Sequence, residues 1–190
     1  MPRGTQLTIR LASLADASAI ASTHVDSWRE TYAGVVPPPM LSSLSVDKRT
    51  AMWTRIMSGP ATTGSSNVYV AEVDREIVGF GSCGAQRTQN LAAKGYDGEV
   101  SAIYVLNEFQ RRAIGTRLLY VMATDLRDRG FAAASLWVLR DNTPARRYYE
   151  RYGAKTIGEK EDVRPDGILV EVAYGWLDLM RLVQLTAVGL

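Results

Sequence analysis

The 190-residue sequence holds one cysteine, Cys83, and one histidine, His24. One thiol excludes an internal disulfide framework. One thiol and one imidazole leave too little material for a zinc site or a His-based nucleophilic triad, so no metal is expected. No run is long and apolar enough to span a bilayer as a helix, and the opening "MPRGTQLTIR" lacks the apolar core of a signal peptide. A cytoplasmic location and no membrane partner are the expectations. Lysine plus arginine number 22 against 20 for aspartate plus glutamate, which makes no electrostatic case for nucleic acid. Repeats and low-complexity tracts are absent too. Hydrophobic residues make up 46% and charged residues 22%, an ordinary globular balance with enough chain for one sizeable core. We read a single domain over 1–190, with its core at about 7–176 and an apolar extension at 177–190.

The patterning supplies the elements. "QLTIRLA" alternates as a strand does. Ser13 with Asp16 gives a capping-box-like start to a helix on which Ile20, Ala21, His24, Val25 and Trp28 recur at helical spacing. The prolines at 37, 38 and 39 break that region, a second helix covers 47–57, and 58–67 is a connector. "NVYVAEV" and "EIVGFGSCGA" form a hairpin around Asp74 and Arg75, and "RTQNLAAKGYDG" is a loop before the strand "EVSAIYV". A helix over 114–129 lines up Leu118, Leu119, Met122 and Leu126, with Gly130 as its cap. "AASLWVL" is a strand. "TPARRYYERYG" is a short helix between Pro144 and Gly153, and a closing antiparallel pair turns at Pro165, Asp166 and Gly167. The order β-α-α-β-β-β-α-β-α-β-β implies a mixed α/β fold. Its central sheet is mostly antiparallel, with one parallel βαβ crossover around the 114–129 helix and helices on both faces.

The stretch "QRRAIGTRLL" at 110–119 concentrates the chemistry. A helix N-terminus offers unpaired N–H groups and a partial positive charge. Amides over 111–116, bared by Ala113 and Gly115 and supplemented by Arg111, Arg112 and Arg117, make an anion site suited to a pyrophosphate. A solvated basic turn before a core helix is the plainer alternative.

With the strand before it, "GEVSAIYVLNEFQRRAIGTRLL" resembles the cofactor motif of the GNAT superfamily, the acyl-CoA-dependent N-acyltransferases. Gln110, Ala113 and Gly115 fall on the positions of Gln/Arg-x-x-Gly-x-Gly/Ala. Ala113 replaces the usual glycine, a small change if the position does not require a positive φ. "NTPARRYYERYGA" resembles the family's second block through Asn142, Ala145, Tyr148, Tyr149 and Gly153, with Ala154 in place of an aromatic residue. The opening strand and helix are similar too, so the resemblance covers about 7–176.

The resemblance implies an acetyl-CoA-dependent N-acetyltransferase, acting by direct attack of a primary amine in a ternary complex. Acetyl-CoA is then the acyl-donor cosubstrate. Its arm would lie along the backbone of Ile103, Tyr104 and Val105, and its pyrophosphate in the loop from Arg111 and Arg112 through Ala113, Ile114 and Gly115 to Thr116. Asn142, Ala145 and Tyr148 would flank the arm. Tyr149 would protonate the leaving thiolate, and a Val105 N–H would meet the oxyanion. Glu99 is the candidate base, placed by period two on the face of Ser101, Ile103 and Val105. Asn142 also suits a helix N-cap, and Glu99 a solvated strand end.

Two rival readings stand. A CoA-binding module without catalysis shares the fold. "GFGSCG" at 79–84 formally matches the dinucleotide fingerprint and suggests a nicotinamide or flavin oxidoreductase, but a turn stands where a full strand should precede it and no helical face follows. The partner is a small-molecule or peptide amine, at a mouth lined by the first helix, the Pro-rich loop near Pro37 and the closing hairpin, where Asp26, Glu30 and Glu161 either attract an amine or, the plainer reading, form solvated surface. His24 packs beside Trp28 or borders that mouth, and Cys83 is a small strand residue. The apolar tail suggests either a homodimer contact or packing on its own domain.

Overall fold

The computed structural model describes residues 6–62 and 64–190. Seven strands form one sheet: β1 (Leu7–Leu11), β2 (Asn67–Val73), β3 (Glu76–Ala85), β4 (Gly98–Val105), β5 (Ala134–Leu139), β6 (Lys155–Arg164) and β7 (Gly167–Trp176). Their spatial order is β1-β2-β3-β4-β5-β7-β6, and only β4 and β5 run parallel. The crossover between those two is α5 (Ile114–Asp128), whose Leu118, Leu119, Met122 and Leu126 are fully buried. The same face of the sheet carries α6 (Thr143–Arg151) and α7 (Leu179–Val188), which share that core through Tyr149, Tyr152, Leu179 and Leu182. The opposite face carries α1 (Ala17–Tyr32) and α3 (Val46–Met57), packed through Ile20, Ala21 and Trp53 on Val68, Val70 and Phe80. The expected mixed α/β architecture is therefore present.

Local chemistry explains the boundaries. The Ser13 N–H donates to Asp16 Oδ2 at 2.7 Å, but the capped turn is a 3₁₀ turn, Leu14–Asp16, ahead of α1. Asp74 and Arg75 both have positive φ, 51° and 75°, as the tight hairpin turn demands. The prolines at 38 and 39 do more than break a helix. They open α2 (Pro38–Ser42), where a missing N–H costs nothing. The expected loop before β4 contains α4 (Gln89–Ala92), anchored by buried Leu91 and Tyr96. The apolar tail forms α7 and packs on its own chain, leaving Leu177, Met180 and Val188 exposed.

Two irregularities shape the middle of the sheet. β4 and β5 pair only at Gly98 with Ala134 and Glu99 with Ser135, and beyond that point no ladder joins them. The β3–β4 register also slips, from Ser82 opposite Ala102 to Cys83 opposite Val100, so Ser101 is a bulge. Val100 lies in the α5 core, and Ile103 and Val105 pack against it, whereas Ala102 and Tyr104 pack toward α1 and α3. The expectation that Glu99 shares a face with Ile103 and Val105 is thus corrected. The extra residue inverts the alternation, and Glu99 lines a cavity with Tyr104 instead.

Candidate active site

At the α5 entrance, Arg111 and Ala113 both adopt φ of +59°, with Arg112 between them outside the positive-φ region. Alternation of this kind turns successive N–H groups into one concavity. Ala113 itself thus holds a positive φ, so its replacement of glycine is not the small change it would be elsewhere, and alanine there costs about 1 kcal/mol relative to an unstrained residue. No N–H from Arg111 through Thr116 donates to another described group, and α5 has no side-chain N-cap. Gly115 has no positive φ, and a Cβ there would meet nothing nearer than the Tyr148 hydroxyl at 3.8 Å. The protein's own packing does not demand glycine at this point. The Tyr148 hydroxyl is buried beside Thr116 without a hydrogen bond of good geometry, while the Thr116 hydroxyl pairs with that of Tyr152 at 2.9 Å. Ile114 is buried in the core, and Arg111, Arg112 and Arg117 are exposed, Arg112 standing 5.3 Å over the Phe109 ring. Gln110 turns back, donating to the Val105 carbonyl at 3.0 Å and to Asn107 Oδ1 at 2.9 Å. Its amide ties the loop to the end of β4.

The parting of β4 and β5 leads to this entrance. The Leu106 N–H donates to the Val78 carbonyl, so by antiparallel alternation Tyr104 addresses β3 and Ile103 and Val105 turn their backbone groups the other way, into the gap. Across it, Asn142 caps α6 by accepting from the Ala145 N–H at 3.2 Å, and Ala145 packs against the core. Tyr149, on the same helix, lies edge-on to Tyr148 and Trp176, with ring centroids 5.2 and 6.2 Å away. Its hydroxyl makes no hydrogen bond to any described residue. Burial, reinforced by Tyr148, Tyr104 and Tyr32, pushes the Tyr149 pKa up and keeps the phenol protonated.

A cavity of about 310 Å³ lies beside Glu99, walled by Tyr104, Trp137, Lys160 and Glu171. The Glu99 side chain is 7% exposed and accepts three hydrogen bonds from Arg87: from Nη2 at 2.7 Å, from Nε at 3.0 Å and from the backbone N–H at 3.1 Å. Lys160 stands 4.2 Å over the Trp137 ring and 3.1 Å from Glu171. Arg87, Trp137, Lys160 and Glu171 were not evident beforehand, because β3's end, β5, β6 and β7 bring them together from four separate stretches. The three acids weighed for the acceptor mouth do not line the Glu99 cavity. Asp26 is exposed near Arg29, Glu30 accepts the Asn107 N–H at 2.9 Å, and Glu161 is exposed on β6. His24 is buried, stacked on Tyr104 at 5.1 Å, and its Nδ1 accepts from the Trp53 indole. Burial, with Arg49 adding to it, pushes its pKa down to about 3, so it stays neutral near pH 7. Cys83 is a buried strand thiol whose pKa burial raises. The "GFGSCG" glycines run within β3 with no helix opening at them. A Cβ on Gly79 would meet the Tyr104 carbonyl oxygen at 2.9 Å and one on Gly84 the Ser65 carbonyl oxygen at 2.9 Å, which accounts for those two glycines by packing.

The family model for the acetyltransferase (GNAT) family matches residues 27–154, and an N-acetyltransferase of uncharacterized role from Bacillus subtilis (strain 168), YuaI, is 36% identical over 178 residues, 93% of this chain and 96% of its own. The chain belongs to the GNAT acetyltransferase family. Solved structures share the GNAT fold. One is a PaiA N-acetyltransferase from Thermoplasma acidophilum in complex with coenzyme A, with TM-score 0.65, 21% identity, and 87% of this chain and 98% of that one covered. Another is YncA, a putative acetyltransferase from Salmonella typhimurium with acetyl-CoA, with TM-score 0.66, 19% identity, and 90% and 94% covered. Among the described residues no group of histidine, cysteine, aspartate or glutamate could hold a metal ion, and no helix is long and apolar enough to cross a membrane.

Proposed function

We propose that this GNAT protein is an acetyl-CoA-dependent N-acetyltransferase acting on a primary amine by direct attack in a ternary complex. One observation carries the reading. An anion cradle of free N–H groups at the α5 entrance lies at the end of a gap into which β4 turns unpaired backbone groups. A pyrophosphate fits the first and an amide-bearing arm fits the second. The spare volume at Gly115 and the unpartnered Tyr148 hydroxyl fit a ligand that approaches the backbone closely.

When bound, acetyl-CoA supplies the activated acyl group. Ile103 and Val105 hold its arm as a neighbouring strand would, and a Val105 N–H faces the charge that develops on the acyl oxygen. Tyr149, kept protonated by burial, hands its proton to the departing sulfur. Glu99 receives the amine's proton, through a water, since Arg87 already occupies both carboxylate oxygens. The acceptor is a small-molecule or peptide amine entering through the 310 Å³ cavity. We place the reaction in the cytoplasm. Leu177, Met180 and Val188 form the surface for a homodimer contact.

Calorimetric titration with acetyl-CoA, against NADH and NADPH, tests the reading. Micromolar acetyl-CoA binding, weakened by Arg111→Ala with Arg112→Ala, supports it, as does thiol release with an amine panel. Binding without turnover by any amine would leave the non-catalytic module. Selective binding of a nicotinamide would return attention to "GFGSCG".

A further inference from the structure

A second cavity, of about 320 Å³, opens between the α2–α3 segment and the β6–β7 turn. Its wall holds Trp28, Lys48, Arg49 and Arg164, against a single acid, the exposed Asp166. Arg49 is the unusual member. It is half-buried, its guanidinium lies 6.0 Å from the Trp28 ring centroid, and its side chain's one hydrogen-bonding contact among the described residues is the Met52 thioether at 3.5 Å. No carboxylate of the described residues pairs with it. Arg164 stands 5.9 Å from the same ring. It uses Nε and Nη2 on Asp162, at 2.7 and 2.6 Å, which leaves Nη1 without a described partner.

Two guanidinium groups on one indole, one of them without a counter-charge, are unfavourable unless something anionic joins them. Burial takes the Arg49 charge out of water, and Arg164 adds like-charge repulsion. A planar anion that accepts forked hydrogen bonds removes both costs. The location says whose anion it is. Trp28 packs edge-on to Tyr32 at 4.9 Å, and its neighbour Tyr104 also lines the cavity that holds Glu99. One aromatic cluster thus borders both the amine-handling cavity and the cationic one.

We propose that Arg49 and Arg164 form a carboxylate-binding subsite for the acceptor, so that the preferred substrates are amines that carry a carboxylate. This deepens the acetyltransferase reading and rests on it for the word acceptor. The cationic wall repels a polycationic amine by the same charges.

The test uses matched probes. N-acetyl-α-amino acids, as product analogues, and their carboxamides are titrated into the full-length protein with CoA present. Arg side-chain Nε–Hε resonances and calorimetry serve as readouts. The free acids bind at least about tenfold more tightly than the amides and shift the Arg49 resonance. Arg49→Gln abolishes that preference, Arg164→Gln reduces it, Arg49→Lys restores part of it, and acetyl-CoA affinity is unchanged in all three. A C-terminally acidic dipeptide series and its amides show whether a free amino acid or a peptide terminus is the source of the carboxylate. Equal binding of acid and amide by wild type, or an undiminished preference in Arg49→Gln, overturns the subsite. Failure of acetyl-CoA to bind, with the acid preference intact, overturns the acetyltransferase reading and leaves the anion subsite standing.

Discussion

The two ends of α5 are built on opposite terms. At the C-terminal end the charged groups are paired, Arg127 with Asp128 and Arg129 with Asp125. Asp125 accepts from Asn67 at 2.9 Å and from Arg129 at 3.0 Å, with the Cys83 thiol at 3.3 Å. Arg129 also donates to the Ser65 carbonyl, and Gly130 takes a positive φ of 91° just past the helix. At the N-terminal end two non-glycine residues sit at positive φ, a run of N–H groups has no acceptor, and the Tyr148 hydroxyl is buried alone. Folding alone rewards the first arrangement and penalises the second. Strain and unmade hydrogen bonds collected at one end of a single helix mark the place where something else completes the structure.

The comparison can be broken most sharply at Tyr149. Its hydroxyl makes no hydrogen bond to a described residue, so Tyr149→Phe removes nothing that holds the fold. Thiol-release kinetics should show kcat lowered about 10²-fold or more, with Tm moved by no more than about 2 °C. A fall in Tm of several degrees would make Tyr149 a packing residue. Asp125→Asn is the converse at the other end. It strips a half-buried ion pair with the Asn67 and Cys83 contacts beside it and should cost about 2 kcal/mol, a drop of roughly 4–8 °C in Tm by thermal melting, while calorimetry finds acetyl-CoA affinity unchanged. Gly115→Ala should divide the two properties within one residue. Helix propensity gains up to about 0.5 kcal/mol, yet the methyl enters the space kept for ligand and weakens acetyl-CoA binding about tenfold. Ala113→Gly is the smallest change. Relief of the left-handed strain, less the entropy of glycine, should raise stability by about 0.5 kcal/mol in denaturant titration.

Sequence reading reached α5 and α6 because capping chemistry and motif spacing are local, and Gly130, Pro144 and Gly153 leave marks at the expected ends. The antiparallel hairpins were legible for the same reason, through Asp74 with Arg75 and through Pro165 to Gly167. The bulge at Ser101 was not. An extra residue opposite a partner strand changes no composition, yet it moved Glu99 to the other face of the sheet. The left-handed state of Ala113 was also hidden, since alanine does not advertise positive φ. Arg87, Trp137, Lys160 and Glu171 form one cavity only after the strands are ordered in space. Arg49 and Arg164 carry no local sequence mark, and only the fold brings both to Trp28, between α3 and the β6–β7 turn. α4 is a four-residue helix, too short for periodicity to reveal.

The parting of β4 from β5 also bears on how the protein behaves when its cosubstrate is scarce. Two rungs join β4 to β5, and on the proposed reading the acyl donor's arm would supply the missing ones. A ligand that fills them acts as a transient strand. Its concentration then sets the apparent stability of the whole domain, and amide exchange at Ile103 and Val105 slows as it binds. The cell's acyl-donor supply would thereby be written into the lifetime of the protein that spends it.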